Sequence, residues 1–245
     1  MQTTNAEKNT ILITGATSGI GESLFNLYAD QGENVIACGR NQQKLDALSE
    51  KAHQTCQFDM TNKAEIKEVA SQINELDVLI LNAGNCRYVD DAKNFDAALF
   101  ADVINTNLIA TGWLLKYLLP KVKKGGQVVF VSSSATLMPF PRSEAYGASK
   151  AGIDYLANSL RLDLIKENID VTLIHPGFIK TPLTDKNDFS MPFLLSSDEA
   201  AQRIQSAIKK RKKYAHFPKR LTLLLKLFSF LPSIIWQKLM VKEQH

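Results

Sequence analysis

A hydroxyl, a phenol and an amine, those of Ser133, Tyr146 and Lys150, fall within one stretch, SSSATLMPFPRSEAYGASK, running from Ser132 to Lys150. A helix opening near Ala145 puts Tyr146 and Lys150 four residues apart on one face. Ser133 stands thirteen positions before Tyr146, at the end of an apolar strand. A hydride delivered to a carbonyl carbon creates an alkoxide that has to be stabilised and protonated. In that chemistry Tyr146 is the acid, Ser133 holds the substrate oxygen and Lys150 favours the phenolate. The ordinary phenol pKa is near 10, so exchange near neutrality needs a shift of about 3 units, roughly 4 kcal/mol, drawn from Lys150 and the positive ring of an oxidised nicotinamide. The Tyr-x-x-x-Lys spacing alone says little, because Tyr117 and Lys121 repeat it. That second copy straddles Pro120, and the residue thirteen positions upstream is Ile104, which has no hydroxyl.

A hydride needs a carrier, and TGATSGIG, from Thr14 to Gly21, offers a place for one. Gly15, Gly19 and Gly21, with Ser18 and Ile20 between them, join an apolar strand to a helical pattern carrying Leu24, Leu27 and Tyr28. Glycine allows the tight turn and the close approach of a pyrophosphate, and the N–H groups that open the helix favour an anion. No Gly-Lys-Ser/Thr follows, which disfavours a Walker-type site. At the end of the second strand the sequence reads ACGRN, with no acid to read a ribose hydroxyl. Arg40 there suits a 2′-phosphate in a fork geometry, so NADP(H) is expected over NAD(H). Asp59, just past the third strand, is placed either to accept from an adenine amine or to cap the helix that follows.

The elements that must hold these residues alternate. Apolar strands are expected at 10–14, 34–38, 55–58, 77–81, 126–131 and 170–174, with a last short one at 214–217, and helical patterns at 20–31, 42–51, 64–74, 96–119, 145–166 and 198–210. The segment 176–193 reads as a long loop. Strands that are apolar throughout and separated by helices call for a doubly wound parallel sheet in an α/β domain. Ligands in such sheets bind beyond the carboxyl ends of the strands, where Gly15, Arg40, Asp59, Asn82, Ser133 and Pro176 all fall.

The bulk properties agree with one globular domain: 245 residues, 45% of them apolar, and a formal charge of +4. Much of that excess sits in KKRKK at 209–213, a local patch that does not imply nucleic-acid binding. Three cysteines, Cys38, Cys56 and Cys86, lack metal-ligand or CxxC spacing and point to reduced thiols in a cytoplasmic compartment. No metal site is expected, and the polar N-terminus shows no secretory signal.

These motifs together resemble the short-chain dehydrogenase/reductase family from about Thr10 to Thr181. The features are TGATSGIG, Asp59, the NAG of Asn82, Ala83 and Gly84, Asn107 in NTNLIATG, Ser133, YGASK at Tyr146 to Lys150, and PGFIKT at Pro176 to Thr181, all in family order. The resemblance implies a Rossmann-type fold in which Asn82 to Gly84 support the sheet and cofactor. It also implies that Asn107 holds a water in a relay running through Lys150 to Tyr146, and that Pro176, Gly177, Ile179 and Thr181 contact the nicotinamide end. Tyr146 and Lys150 would touch the cofactor as well. Spacing alone does not choose Asn107 over Asn105.

The expected organisation is a catalytic domain over 1–217 and an amphipathic helical extension over 218–245. In that extension Leu221, Leu224, Leu225, Phe228 and Leu231 share one helical face, and Thr222, Lys226, Ser229 and Ser233 the other. The run is shorter than the roughly 20 residues that span a bilayer and contains Lys226 and Pro232. A peripheral membrane contact competes with a subunit contact, which is favoured along with a homo-oligomeric state. Leu183, Phe189, Met191, Pro192, Phe193 and Leu194 in the loop, with Leu137, Met138 and Phe140, suggest an apolar pocket wall. The expected function is hydride transfer between NADP(H) and a hydrophobic small-molecule carbonyl or alcohol. The alternative is a catalytically silent nucleotide sensor or membrane-peripheral protein of the same fold.

Overall fold

A strand that is apolar at every position can be satisfied only if both of its faces are covered. The computed structural model, which describes residues 8–185 and 187–242, covers them with helices. The strands are β1 (Thr10–Thr14), β2 (Asn34–Gly39), β3 (Gln54–Gln57), β4 (Leu76–Leu81), β5 (Val122–Val131), β6 (Asp170–Pro176), β7 (Ile179–Lys180), β8 (Leu195–Ser196) and β9 (Tyr214–Phe217). Seven of them form one sheet in the order β3-β2-β1-β4-β5-β6-β9, and every pairing is parallel. The order reverses between β1 and β4, which places a crevice at their carboxyl ends. The remaining two pair with each other, β7 near the start of the segment read from sequence as a loop and β8 just beyond its end, and so draw the two ends of that loop together.

The helices are α1 (Gly19–Ala29), α2 (Gln42–Leu48), α3 (Lys63–Ser71), α4 (Ala97–Ile104), α5 (Ala110–Leu118), α6 (Glu144–Asp163), α7 (Ser197–Lys209), α8 (Lys219–Phe228) and α9 (Ser233–Lys242). Alternation along the strands sends Leu12, Leu79 and Phe130 to one face, against Ile66 of α3, Leu114 of α5 and Ile153 of α6. Their neighbours Ile13, Ile80 and Val129 go to the other, against Leu24 and Phe25 of α1 and Ile204 of α7. These side chains are all but fully buried. The helix expected over 96–119 is interrupted: a π turn, Asn105–Ile109, joins α4 to α5, with the Ala110 N–H donating to Asn105 O. The joined run 97–121 is long and apolar enough to cross a membrane, but Val103, Ala110, Leu114 and Leu118 are buried in the domain core.

Two sequence expectations are corrected. Asp59 does not cap α3, because Asn62 does, its side chain accepting from Ala64 N and Glu65 N. Thr222 does not lie on a solvent face of α8 but is fully buried there with Leu221 and Leu225, while Leu224 and Leu231 are exposed. A directional chain satisfies its hydroxyl. Lys219 Nζ donates to His216 Nε2 (2.9 Å), so His216 Nδ1 carries the proton and donates to Thr222 Oγ1 (2.6 Å), which donates to Pro218 O (3.0 Å). Burial, with Lys219 and Lys226 nearby, pushes the His216 pKa down to about 4 and keeps the ring neutral. Residues 1–7, Lys186 and 243–245, the last three of the expected extension, lie outside the described residues. Thr222→Val is expected to leave His216 Nδ1 unpaired and lower the unfolding free energy by about 1–3 kcal/mol in a urea titration; an unchanged midpoint would discard this role.

Candidate active site

The carboxyl ends of β1, β2, β4, β5 and β6 surround a cleft of about 900 Å³. Gly15, Ser18, Gly19, Ile20, Arg40, Asp59, Asn82, Ala83, Gly84, Ser133, Tyr146, Lys150, Pro176, Gly177, Ile179 and Thr181 all line it. Of the residues picked out by sequence, Gly21 and Asn107 lie behind the wall. Gly21 is there because α1 must pass under the turn: a Cβ on it would stand 2.1 Å from Gly15 O. Asn107 is buried in the π turn, its Oδ1 accepting from Asn85 N (2.8 Å) and its Nδ2 donating to Asn85 O (2.9 Å) and Ser149 Oγ (2.9 Å).

The first half of the cleft fits a dinucleotide. Gly15 and Gly19 hold positive φ of 68° and 54°, which other residues adopt only at a cost. The Ser18 side chain makes no capping bond, so the N–H groups opening α1 face the cleft without the side-chain partner that Asn41 gives α2 or Asn62 gives α3. Arg40 is largely exposed and lies 3.7 Å from Asp59, a loose surface pair. Burial opposes the ionised Asp59, but hydrogen bonds from Thr61 and the Arg40 charge hold its carboxyl below the usual range. Lys44, one turn into α2, adds a second cation beside Arg40 and donates to Thr17 O (3.3 Å). Sequence reasoning missed it, although its i+4 spacing from Arg40 was a signal.

The second half holds the hydroxyl, phenol and amine picked out by sequence. Ser133 caps a short 3-10 turn, its Oγ accepting from Ala135 N (3.1 Å), and hydrogen-bonds Tyr146. Lys150 lies on α6 with its Nζ 5.9 Å from the centre of the Tyr146 ring and donates to Val131 O (2.9 Å). A Cβ on Gly84 would sit 3.0 Å from Asn107 Oδ1 and 3.6 Å from Lys150 Nζ, so this glycine lets the two side chains share one wall. The electrostatics differ from the expectation that Lys150 depresses the phenol. Burial is the largest influence on Tyr146 and pushes its pKa up, Cys86 adds to that, and only the Ser133 hydrogen bond pulls the other way. Burial also pushes the Lys150 pKa down to about 8, against the opposing pull of Asp154 and Cys86. The chain's own residues therefore keep Tyr146 as a proton-bearing phenol.

Behind Lys150 stands a second layer that sequence reasoning overlooked. Asp154 is one turn further along α6, so Tyr146, Lys150 and Asp154 form an i, i+4, i+8 ladder. Its Oδ1 accepts from Ser132 Oγ (2.5 Å), and its Oδ2 is 2.9 Å from the buried His175 Nε2, without hydrogen-bond alignment. Tyr214 Oη lies 3.0 Å from His175 Nδ1 and ties the pair to β9.

The apolar wall is divided. Leu183 lines the cleft, and Phe189 packs edge-on to Tyr88 (5.7 Å) and Phe178 (6.1 Å). Met138 and Phe140 instead pack with Leu221, Leu225 and Trp236, and Trp236 Nε1 donates to Pro139 O (2.6 Å). The loop is clasped by Arg142, which bonds both Asp90 (2.6 Å) and Asp188 (2.8 Å), and by Tyr88 Oη, which donates to Asn187 Oδ1 (2.9 Å).

Comparison with known proteins agrees with this geometry. A family profile described as short chain dehydrogenase matches residues 9–190. An uncharacterized oxidoreductase of Myxococcus xanthus is 32% identical, with 91% of this chain and 93% of that one covered. The NADP-dependent 3-hydroxy acid dehydrogenase YdfG of Salmonella typhi is 30% identical over 69% of this chain and 72% of its own. Among solved structures, a short chain dehydrogenase from Burkholderia cenocepacia in complex with NADP superimposes with a TM-score of 0.85, at 20% identity, over 96% of this chain and 98% of that one. With the fold, the cleft and the matched residues in agreement, the chain belongs to the short-chain dehydrogenase family of oxidoreductases.

Proposed function

We propose that the chain transfers a hydride between NADP(H) and the carbonyl or alcohol of a small, hydrophobic molecule. The observation that carries the reading is the convergence of Ser133, Tyr146 and Lys150 on one wall of a cleft whose other end is a glycine turn and an uncapped helix N-terminus. When bound, the nicotinamide supplies or accepts the hydride. Ser133 orients the substrate oxygen, Tyr146 gives the proton to the developing alkoxide, and Lys150 holds positive charge beneath the phenol. Asn107 sets the wall against which Lys150 lies and carries the relay to it. Arg40 and Lys44 receive the 2′-phosphate, in line with the NADP dependence named for the Salmonella relative. A silent sensor is disfavoured, since such a protein has no physical need of the three groups together.

The apolar substrate rests on Leu183 at the cleft and on Phe189 and Phe178 beside it. Free thiols at Cys38, Cys56 and Cys86 suit a reducing, cytoplasmic setting. Homo-oligomerisation is assigned to the outer face of α6, where Tyr155 and Leu162 are 80% and 69% exposed, together with Ile165 and Ile109. Sedimentation velocity should give at least a dimer's mass; a monomer at micromolar concentration rejects that assignment.

Tyr146→Phe should abolish NADPH oxidation across a panel of carbonyls graded by size and polarity while leaving NADPH binding within about threefold. Retained turnover overturns the role of Tyr146, and tighter binding of NADH than NADPH overturns that of Arg40. The reductive rate is expected to fall as pH rises through about 8, because Lys150 loses its charge there while burial keeps the Tyr146 phenol protonated. Asp154 raises the Lys150 pKa, so Asp154→Asn should move that falling limb to lower pH. A limb that does not move in a kcat/KM profile separates Asp154 from Lys150.

A further inference from the structure

The inner faces of α8 and α9 are spoken for. Leu221, Leu225 and Trp236 pack on Met138, and a Cβ on the cleft residue Gly177 would meet Leu221 Cδ2 at 2.8 Å. The outer face is also apolar. Leu223, Leu227 and Phe230 are 56%, 62% and 86% exposed, and Ile234, Ile235 and Leu239 continue the patch along α9. On α8 the positions 220, 223, 224 and 227 share one side by helical spacing, so Arg220 sits among the leucines; on α9 Lys238 follows Ile234 by one turn. Soluble chains rarely leave so many large apolar groups contiguous in the absence of a partner.

Charge selects that partner. Residues 200–240 hold ten of the 29 Lys and Arg of the chain and none of the 25 Asp and Glu, so the rest of the molecule is acidic and the basic excess gathers at the tail. Lys219 shows the crowding: burial pulls its pKa down, and the charges of Lys226 and Lys212 add to that. An isologous contact between two copies through this face would bring the basic residues of one copy, Arg220 and Lys238 among them, onto the same acid-free face of the other, a like-charge cost. Exposed leucines and phenylalanine do not read a nucleic acid's phosphates. Leucine side chains rimmed by Lys and Arg suit the headgroup boundary of an anionic bilayer, and helices of 10 residues each lie on such a surface without crossing it.

We propose that the outer face of α8 and α9 docks the protein onto an anionic phospholipid surface, with Leu223, Leu227 and Phe230 inserted among the acyl chains and Arg220 and Lys238 on the headgroups. Because the inner face of the same helices abuts Gly177 and Met138, docking sets one wall of the cleft at the lipid surface. The docking itself is independent of the hydride-transfer reading.

The test is co-sedimentation of the full chain with sucrose-loaded vesicles of equimolar phosphatidylglycerol and phosphatidylcholine, and with phosphatidylcholine alone. The wild type should pellet with the anionic vesicles, more weakly with the neutral ones, and be released by high salt. The triple variant L223S/L227S/F230S should lose about tenfold or more of the partition, and R220E/K238E a comparable amount at low salt. Both variants alter exposed side chains, so NADPH binding and the melting temperature are expected to stay at wild-type values and to report that the fold is intact. A wild type that stays in the supernatant with anionic vesicles overturns the proposal. So does a triple variant that pellets unchanged, or one whose only change is dissociation of a dimer in sedimentation velocity, which would make this face a subunit contact.

Discussion

Opening a crevice at the reversal of strand order means parting the ends of β1 and β4, and parting them strips backbone groups of their ladder partners. Thr14 answers this. Its Oγ1 accepts from Asn82 N (3.0 Å) and Ala83 N (3.1 Å) and donates to Ile80 O (3.3 Å), while Asn82 Nδ2 donates to Thr14 O (3.0 Å). The hydroxyl thus uses its donor and both lone pairs in a place where Thr14 is 2% exposed and water cannot substitute. With the two ends locked, the glycine turn has one position available. A Cβ on Gly15 would lie 3.0 Å from Ala83 Cα, and one on Gly21 would lie 2.7 Å from Asn82 Nδ2. The glycines are therefore required by the packing of the turn on the NAG segment as well as by the approach of a ligand.

What could be read in advance follows from the range of each interaction. Strand and helix patterns are local, and all seven strands of the main sheet lie within a few residues of their expected places. Tyr146 and Lys150 are a local pair, and Ser133 is legible because it ends an apolar strand. The π turn was not legible, since nothing in NTNLIATG distinguishes a residue whose carbonyl is bonded five residues on from one bonded four residues on. Thr222 was misread because amphipathic patterning counts a hydroxyl as polar, whereas this one finds its acceptor one turn back at Pro218 O and its donor in His216. The pair Asp154 and His175 joins α6 to β6, and the Cys38 and Cys56 thiols face one another across β2 and β3. Such contacts depend on register that a single sequence does not encode visibly.

The phenol is the most instructive difference. From sequence, a cation one turn away implies a depressed Tyr146, because opposite charges attract. In the folded chain both groups are buried, and burial acts on each against its charged form: the phenol goes up and the ammonium comes down to about 8. Desolvation thereby drives the two proton affinities apart, leaving a phenol that holds its proton beside an amine that releases its own more readily.

A buried ammonium still requires compensation, and its source explains the otherwise unused residues around β6. Val131 O accepts directly from Lys150 Nζ. Asp154 supplies the opposing negative charge, held in place by Ser132 Oγ and by the approach of His175. His175 in turn is fixed by Tyr214 on β9, and Tyr214 carries Lys226 of α8 over its ring at 4.4 Å. The charge of Lys150 is thus supported by a column of side chains running through the last strand of the sheet to the tail helix. Removing the tail would withdraw Lys226 from Tyr214 as well as stripping Leu221 from Gly177, so the extension belongs energetically to the site even though none of its described residues lines the cleft.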